Sequence, residues 1–128
     1  MIKQVIVMRK DLKMRKGKMI AQGAHASMKV LLDCQITAPY GGYERVYEVG
    51  EVFSDWLDGQ FTKICLSVDS EEELDSIYQK SQDAGIKCAM IIDAGKTEFN
   101  GIPTKTCIAI GPDTSEKIDA ITGSLKLL

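Results

Sequence analysis

Four runs rich in apolar residues predict the strands of a β-sheet. They cover residues 3–8, 61–68, 87–93 and 104–110. The first, third and fourth runs are apolar on both faces, which is typical of strands that helices cover on two sides. Gly111-Pro112 is expected to end the last strand.

Apolar residues recur at the helical period between these runs. From about Lys16 to Asp33 the chain has no Pro and is rich in Ala, Met and Leu, which favours a helix. Residues 35–43 contain Pro and Gly and predict a loop. Residues 44–57 place large apolar side chains at helical spacing and therefore predict a second, amphipathic helix.

Two more helices are indicated by their ends. Ser70, followed by three acidic residues, predicts the start of a third helix, and Gly85 predicts its end. A last helix is expected from about Thr114 to Thr122. The order β-α-α-β-α-β-β-α predicts an α/β fold, a three-layer α/β/α sandwich with a mixed, mostly four-stranded sheet and helices on both faces.

Length and composition exclude several classes of protein. The 128 residues predict a single domain, 1–128, and fractions of 45% hydrophobic and 27% charged residues exclude a disordered or fibrous chain. The apolar run near the N-terminus is too short for a signal peptide or a membrane span, so we expect a cytoplasmic protein with no membrane partner. Four widely spaced Cys and a single His argue against structural zinc and predict reduced, mostly buried thiols.

Charge is distributed unevenly along the chain. From Lys3 to Lys18, seven basic residues stand against Asp11 alone, a balance of +6, and the rest of the chain carries −8 within a net charge of −2. A basic cluster on an otherwise acidic protein attracts phosphates locally. A solvated charged loop is the alternative that composition leaves open.

The predicted first helix carries a narrow polar stripe. At about 100° per residue, one side of this otherwise apolar helix holds Lys18, Gln22, His25 and Lys29. Such a stripe indicates a cleft. Lys16 and Lys18 lie in the first turn, where the helix dipole disfavours cations, and phosphate oxygens at the free N–H groups would explain them. An exposed helix with a solvated His25 is the alternative.

A carboxylate ends the third predicted strand. Asp93 is followed by Gly95, which permits a turn with positive φ, and by Thr97, whose hydroxyl is close in sequence. Because α/β sheets usually bind ligands at the carboxyl ends of their strands, Asp93 and Thr97 are candidate site residues. A local turn-capping role for Asp93 stays open.

Two common hydrolase motifs do not fit the chain. Gly95-Lys96-Thr97 resembles the end of a phosphate-binding P-loop, but Met90 stands where that loop requires its first glycine. There is no G-x-S-x-G, and the single His cannot be assigned to a triad without a convincing nucleophile. Nucleotide hydrolysis and serine-hydrolase chemistry are therefore not predicted.

Several separated motifs stand in the chain in a recognisable order. They are Asp11-Leu12-Lys13-Met14, Lys16-Gly17-Lys18, Gln22 with His25-Ala26, Trp56 with Gly59-Gln60, Lys63-Ile64, Asp93-Ala94-Gly95-Lys96-Thr97, Ile110-Gly111-Pro112, Ile118-Asp119, Thr122-Gly123 and Leu125-Lys126-Leu127. Together they resemble the landmarks of the archaeal and eukaryotic-type, or type 2, peptidyl-tRNA hydrolase family. The resemblance covers essentially the whole chain.

The resemblance implies an esterase that acts on tRNA. It implies hydrolysis of the ester between a peptide, or an N-blocked aminoacyl group, and the tRNA 3′ ribose, which recycles tRNA from prematurely released peptidyl-tRNA. It implies no metal and no other cofactor. The residues that match the functional positions of the family are Lys18, Asp93, Thr97 and a later threonine, with Thr106 the preferred match and Thr104 the reserve.

The expected partner is peptidyl-tRNA, with no DNA, and the family resemblance alone makes a homodimer plausible. The basic cluster, the polar stripe and the loop after the third strand supply the residues expected to bind tRNA, namely Lys13, Arg15, Lys16, Gln22, His25 and Lys96. As a mechanism, Asp93 orients or deprotonates a water that Thr97 positions. Lys18 then stabilises the developing oxyanion or the leaving ribose oxygen.

The chain departs from the family pattern at a few places. Arg15 stands where Gly is common, Lys96 replaces a frequent Arg, and residues 37–47 form a longer, unusual stretch. The segment after Thr97 looks one residue longer than usual. This lengthened segment keeps a second interpretation open, a member of the same fold that binds tRNA or a protein without turnover.

Overall fold

A computed structural model describes residues 1–128. Its strands are β1 (Ile2–Arg9), β2 (Gln35–Ile36), β3 (Val46–Tyr47), β4 (Lys63–Val68), β5 (Cys88–Asp93), β6 (Thr104–Thr114) and β7 (Lys126–Leu127). Its helices are α1 (Lys16–Leu32), α2 (Glu51–Asp58), α3 (Glu71–Asp83) and α4 (Ser115–Thr122). No helix is long and apolar enough to cross a membrane.

Five strands form one mixed sheet in the order β5-β6-β1-β4-β7. The central strand β1 pairs parallel to β4 and antiparallel to β6. Its side chains alternate between two cores: Val5 and Val7 pack with residues of α3 and α4, whereas Ile6 and Met8 pack with residues of α1 and α2. The predicted α/β/α layering, with helices on both faces, is therefore confirmed.

The sheet has one strand more than the sequence predicts. Strand β7 pairs with β4 through Leu66↔Leu127 and Ser67↔Lys126. A strand of two residues has no visible apolar period and exists only because β4 offers a free edge, so the pattern does not predict it.

The prediction of a loop at 35–43 and a helix from residue 44 is wrong in part. Strands β2 and β3 form a separate two-stranded ribbon, paired through Gln35↔Tyr47 and Ile36↔Val46. Helix α2 begins only at Glu51, because Gly50 before it has a φ of 81°, which a helix does not allow. Val46 thus matches the helical spacing while lying in a strand.

The prediction that Gly111-Pro112 ends the last strand is also wrong. Strand β6 continues to Thr114 through a bulge, where the pairing with β1 steps from Val5↔Ile110 to Lys3↔Asp113. The side-chain amide of Gln4 donates to the Gly111 carbonyl at 3.0 Å. Pro lacks an N–H but is tolerated at a bulge, since no ladder hydrogen bond is required there.

The ends of α3 are confirmed. The Ser70 hydroxyl accepts a hydrogen bond from the backbone N–H of Glu73 at 3.1 Å, and Gly85 follows the helix with a φ of 71°.

The prediction of mostly buried thiols is wrong: only Cys107 is buried, and Cys65 is exposed. Burial raises the pKa of the Cys107 thiol to about 12.

Candidate active site

Helix α1 packs across β5 and β6, which brings its first turn to the carboxyl end of β5. Lys18, in that turn, donates from Nζ to Asp93 Oδ1 at 2.9 Å and to Thr97 Oγ1 at 3.0 Å. The side chains of Lys18 and Asp93 are each 15% exposed. The structure thus joins the three residues in one group that solvent reaches from one side.

The loop after β5 is shaped by Gly95. Its φ is 80°, and a Cβ at this position would lie 2.5 Å from the Ile102 carbonyl oxygen, so only glycine fits. The Gly95 N–H donates to Asp93 Oδ2 at 2.9 Å. The Gly101 N–H donates back to the Gly95 carbonyl at 2.8 Å. These bonds close the loop and hold Thr97 near Lys18.

A buried amide lies beneath this group. Gln22 Nε2 donates to Asp93 Oδ1 at 3.4 Å, and the Thr106 hydroxyl donates to Gln22 Oε1 at 2.6 Å. Gln22 is 3% exposed and Thr106 is fully buried. Sequence reasoning placed Gln22 among tRNA contacts because it lies on the polar stripe, but in the fold this side chain faces the sheet.

A register shift explains why Thr106 reaches α1. The pairing of β5 with β6 steps from Ile91↔Cys107 to Ile92↔Lys105, which leaves Thr106 as an extra residue on β6. Such a bulge redirects a side chain relative to the ordinary alternation. Thr104 instead donates its hydroxyl to the Ile102 carbonyl at 2.8 Å. Thr104 pairs with Asp93 across the two strands, but only the Thr106 hydroxyl is linked by hydrogen bonds to the group, through Gln22.

The charge of Asp93 is stabilised from several directions. The hydrogen bond from Lys18 lowers the pKa of Asp93 below its ordinary value, and bonds from Gly95 and Gln22 act in the same sense, while partial burial opposes them. Asp93 is therefore a carboxylate throughout the neutral range. Both of its oxygens already accept N–H groups.

The remaining predicted residues lie on the surface outside this group, and Lys16 lines an apolar groove on the other flank of α1. Those that are exposed are Lys13, Arg15, Lys16, His25 and Lys96. No side chain caps α1 and its first turn contains no acidic residue, so its first N–H groups stay open to an anion. The Arg15 guanidinium lies 3.8 Å from the Glu98 carboxylate, a pairing that sequence reasoning missed.

Comparison with known proteins gives the family. The family model described as peptidyl-tRNA hydrolase PTH2 matches residues 2–128. The chain belongs to this family. Among PTH2 relatives, the peptidyl-tRNA hydrolase of Methanocaldococcus jannaschii is 42% identical over 99% of this chain and 100% of its own length. That of Methanothermobacter thermautotrophicus is 45% identical over 99% of this chain and 100% of its own length.

Comparison of the fold with solved structures finds a similar protein of much lower sequence identity. A protein of unknown function from Agrobacterium tumefaciens has the same fold with a TM-score of 0.58, at 14% identity, over 99% of this chain and 97% of that one. At this identity the likeness concerns the fold alone. The PTH2 assignment rests on the family model and the archaeal relatives.

Proposed function

We propose that residues 1–128 act as one domain that hydrolyses the ester between a peptide, or an N-blocked aminoacyl group, and the 3′ ribose of tRNA. The observation that carries this proposal is the group formed by Lys18, Asp93 and Thr97 beside an exposed basic helix terminus. It combines a fixed charge pair with a surface suited to phosphates. Membership of the PTH2 family supports the choice of substrate.

The hydrogen bonds in the group have a defined direction. The Lys18 ammonium has only donors and the Asp93 carboxylate only acceptors. Thr97 Oγ1 accepts from Lys18, so the hydroxyl hydrogen of Thr97 is free to point to the substrate. Lys18 and Thr97 thus present two donors to an ester oxygen on which negative charge develops.

Asp93 is better suited to orient a water than to take its proton. Oδ1 accepts from Lys18 and Gln22, whereas Oδ2 accepts only from Gly95 and keeps a lone pair for a water. Its lowered pKa makes it a weak base. The water oxygen attacks the carbonyl carbon, and the bond from that carbon to the ribose oxygen breaks. One proton of the water ends on the ribose oxygen, which restores the tRNA 3′ end, and the other leaves the new peptide carboxyl group to solvent.

Steady-state hydrolysis of one purified peptidyl-tRNA tests this function. We expect release of free tRNA and free peptide without added metal or nucleotide. Tight binding of the tRNA with an intact ester would instead identify a binding module. Calorimetry with ATP or GTP is expected to show no heat, since the chain lacks a P-loop.

The exposed basic residues around α1 predict salt-dependent tRNA binding. Each lysine–phosphate contact contributes about 0.7–0.9 to the slope of log affinity against log salt concentration. The double variant Lys13→Gln, Lys96→Gln is expected to make this slope shallower by about 1.4–1.8, and neither lysine lines the apolar groove. Lys117→Gln is the control, because this exposed lysine lies in α4 on the opposite face of the sheet. An unchanged slope in the double variant would place the tRNA elsewhere.

We propose the cytoplasm as the location of the protein, because tRNA is used there.

We also propose that the protein assembles as a homodimer. An apolar groove of about 780 Å³ runs along the flank of α1 that faces away from Lys18. Its exposed apolar side chains include Ile20, Met28, Leu57, Phe61 and Leu128. A monomer rarely leaves such a contiguous surface open, and a second copy would cover it.

The dimer is tested by the effect of charge in this groove. Ile20→Glu combined with Met28→Glu is expected to convert a dimer to monomers in sedimentation equilibrium. Tyr43→Glu is the control, because Tyr43 is fully exposed and does not line the groove. A wild-type chain that is monomeric at micromolar concentration would refute the dimer.

A further inference from the structure

We propose that Gln22 is a positioning residue for the ester chemistry, an amide that Thr106 holds in place so that its NH₂ directs Asp93. This inference rests on the proposed function. It deepens that function by assigning Thr106 a role through Gln22, since Thr106 is fully buried and cannot touch a substrate.

The orientation of the Gln22 amide follows from its neighbours. Asp93 is ionised and only accepts hydrogen bonds, so the NH₂ of Gln22 must face it. The amide oxygen then faces Thr106, whose hydroxyl must donate to it. A flipped amide would set an oxygen against the carboxylate and lose the bond to Asp93, whereas the Thr106 hydroxyl can pair with either end of the amide. The charge of Asp93 therefore determines which end of Gln22 faces it, and the short 2.6 Å bond from Thr106 holds the amide in that place.

Gln22 is also fixed through its main chain. The Cys107 thiol donates to the Gln22 carbonyl oxygen at 3.3 Å. Thr106 and Cys107 are adjacent on β6, at the register shift, and both contact the same residue of α1. Helix α1 is thus attached to β6 at two points beneath Lys18, which sets the height of the first turn over Asp93.

The amide in turn fixes the plane of the carboxylate. Asp93 Oδ1 accepts from Lys18 and Gln22, and Oδ2 accepts from Gly95. With three donors in place the carboxylate has one orientation, and its free lone pair on Oδ2 has one direction. Without the Gln22 donor each carboxylate oxygen keeps a single donor, Lys18 on Oδ1 and Gly95 on Oδ2. The carboxylate plane is then held less tightly, and the water it orients is less well aligned with the ester.

The alternative is a purely structural role, in which Gln22 only provides a hydrogen-bond partner for the buried Thr106 hydroxyl. The two roles differ in what they do to Asp93. A positioning amide changes the pKa of Asp93 and kcat when it is altered, because it donates to that carboxylate. A purely structural amide changes only the stability of the fold.

The experiment compares Thr106→Val, which removes the hydroxyl at nearly constant volume, with Thr106→Ser, which keeps it. Thr106→Val is expected to lower kcat about 10-fold with KM unchanged, because the tRNA contacts lie on the outer surface. Thr106→Ser should restore most of kcat. In ¹³C NMR titrations the pKa of Asp93 should be higher in Thr106→Val than in the wild type.

Gln22→Glu supplies a second, sharper variant. It sets a carboxyl group about as close to Asp93 as the amide nitrogen is now, 3.4 Å. Two carboxyl groups at this distance share a proton. In the profile of kcat against pH, the midpoint on the acidic side should therefore rise by at least about one pH unit.

The proposal would be overturned by a wild-type kcat in Thr106→Val, or by an Asp93 pKa that is unchanged in both variants. If the wild type fails to hydrolyse peptidyl-tRNA, the proposed function fails, and the NMR titration still decides whether Gln22 directs Asp93.

Discussion

Replacing Lys18 by Ala is expected to lower turnover of a peptidyl-tRNA about 100- to 1,000-fold, the usual cost of losing one preorganised donor to a developing charge. The ammonium bonds Asp93 at 2.9 Å and Thr97 at 3.0 Å, so its loss removes a donor to the substrate and frees Thr97 as well. Folding should stay intact, since Asp93 keeps the donors Gln22 and Gly95.

Single-turnover hydrolysis with saturating enzyme measures this effect apart from tRNA binding. Lys13→Ala is the control, because Lys13 precedes the same helix, is exposed to solvent and does not line the apolar groove. It should weaken tRNA binding while leaving the rate at saturation close to that of the wild type. Near-normal turnover of Lys18→Ala would remove this lysine from the chemistry.

Replacing Asp93 by Asn should reduce turnover about 100-fold or more. Asn has nearly the shape of Asp, but its NH₂ must face either Gly95 on one side or Lys18 and Gln22 on the other. Both sides present N–H donors, so one contact becomes a donor facing a donor. The water-binding direction of Oδ2 is lost and Lys18 loses its counter-charge.

The same variant has a signature in stability against pH. The pKa of Asp93 is lowered in the folded state, so its charge stabilises the fold above the unfolded carboxyl pKa of about 3.9. This contribution disappears as the pH falls through the lowered folded value. Urea unfolding at pH 7 should therefore show a larger difference between wild type and Asp93→Asn than unfolding near pH 2. Asp33→Asn, at an exposed carboxylate, is the control; equal differences at both pH values would contradict the role of the Asp93 charge.

The parts of the fold that were predictable have local causes. Strands β1 and β5 are apolar runs, and α3 begins at a capping Ser70, so neighbouring residues suffice to indicate them. The ribbon of β2 and β3, and strand β7, exist because a partner strand is available. The spacing of apolar residues within one segment does not show which other segment will pair with it.

In the candidate site, too, the residues with local sequence signals were predictable, and the contacts between distant residues were not. Lys18 was indicated by its unfavourable place in the first helical turn, and Asp93 by its place at a strand end. Their contact joins residues 75 positions apart, and only the packing of α1 on β5 reveals it. The burial of Gln22 was missed because a helical stripe does not say which part of it meets the sheet. Thr106 could not be separated from Thr104, since an ordinary strand puts both on one face and only the bulge distinguishes them.

The hairpin of β5 and β6 determines when during synthesis the site becomes complete. It contributes Asp93, Thr97 and Thr106, whereas Lys18 and Gln22 are made long before, 84 residues separating Gln22 from Thr106. A chain that stops before β6 carries the basic N-terminus and the lysine but lacks the carboxylate geometry that β6 supports. Such a truncated product has no assembled hydrolytic group, so ester hydrolysis becomes possible only after β6 has been made and paired with β1.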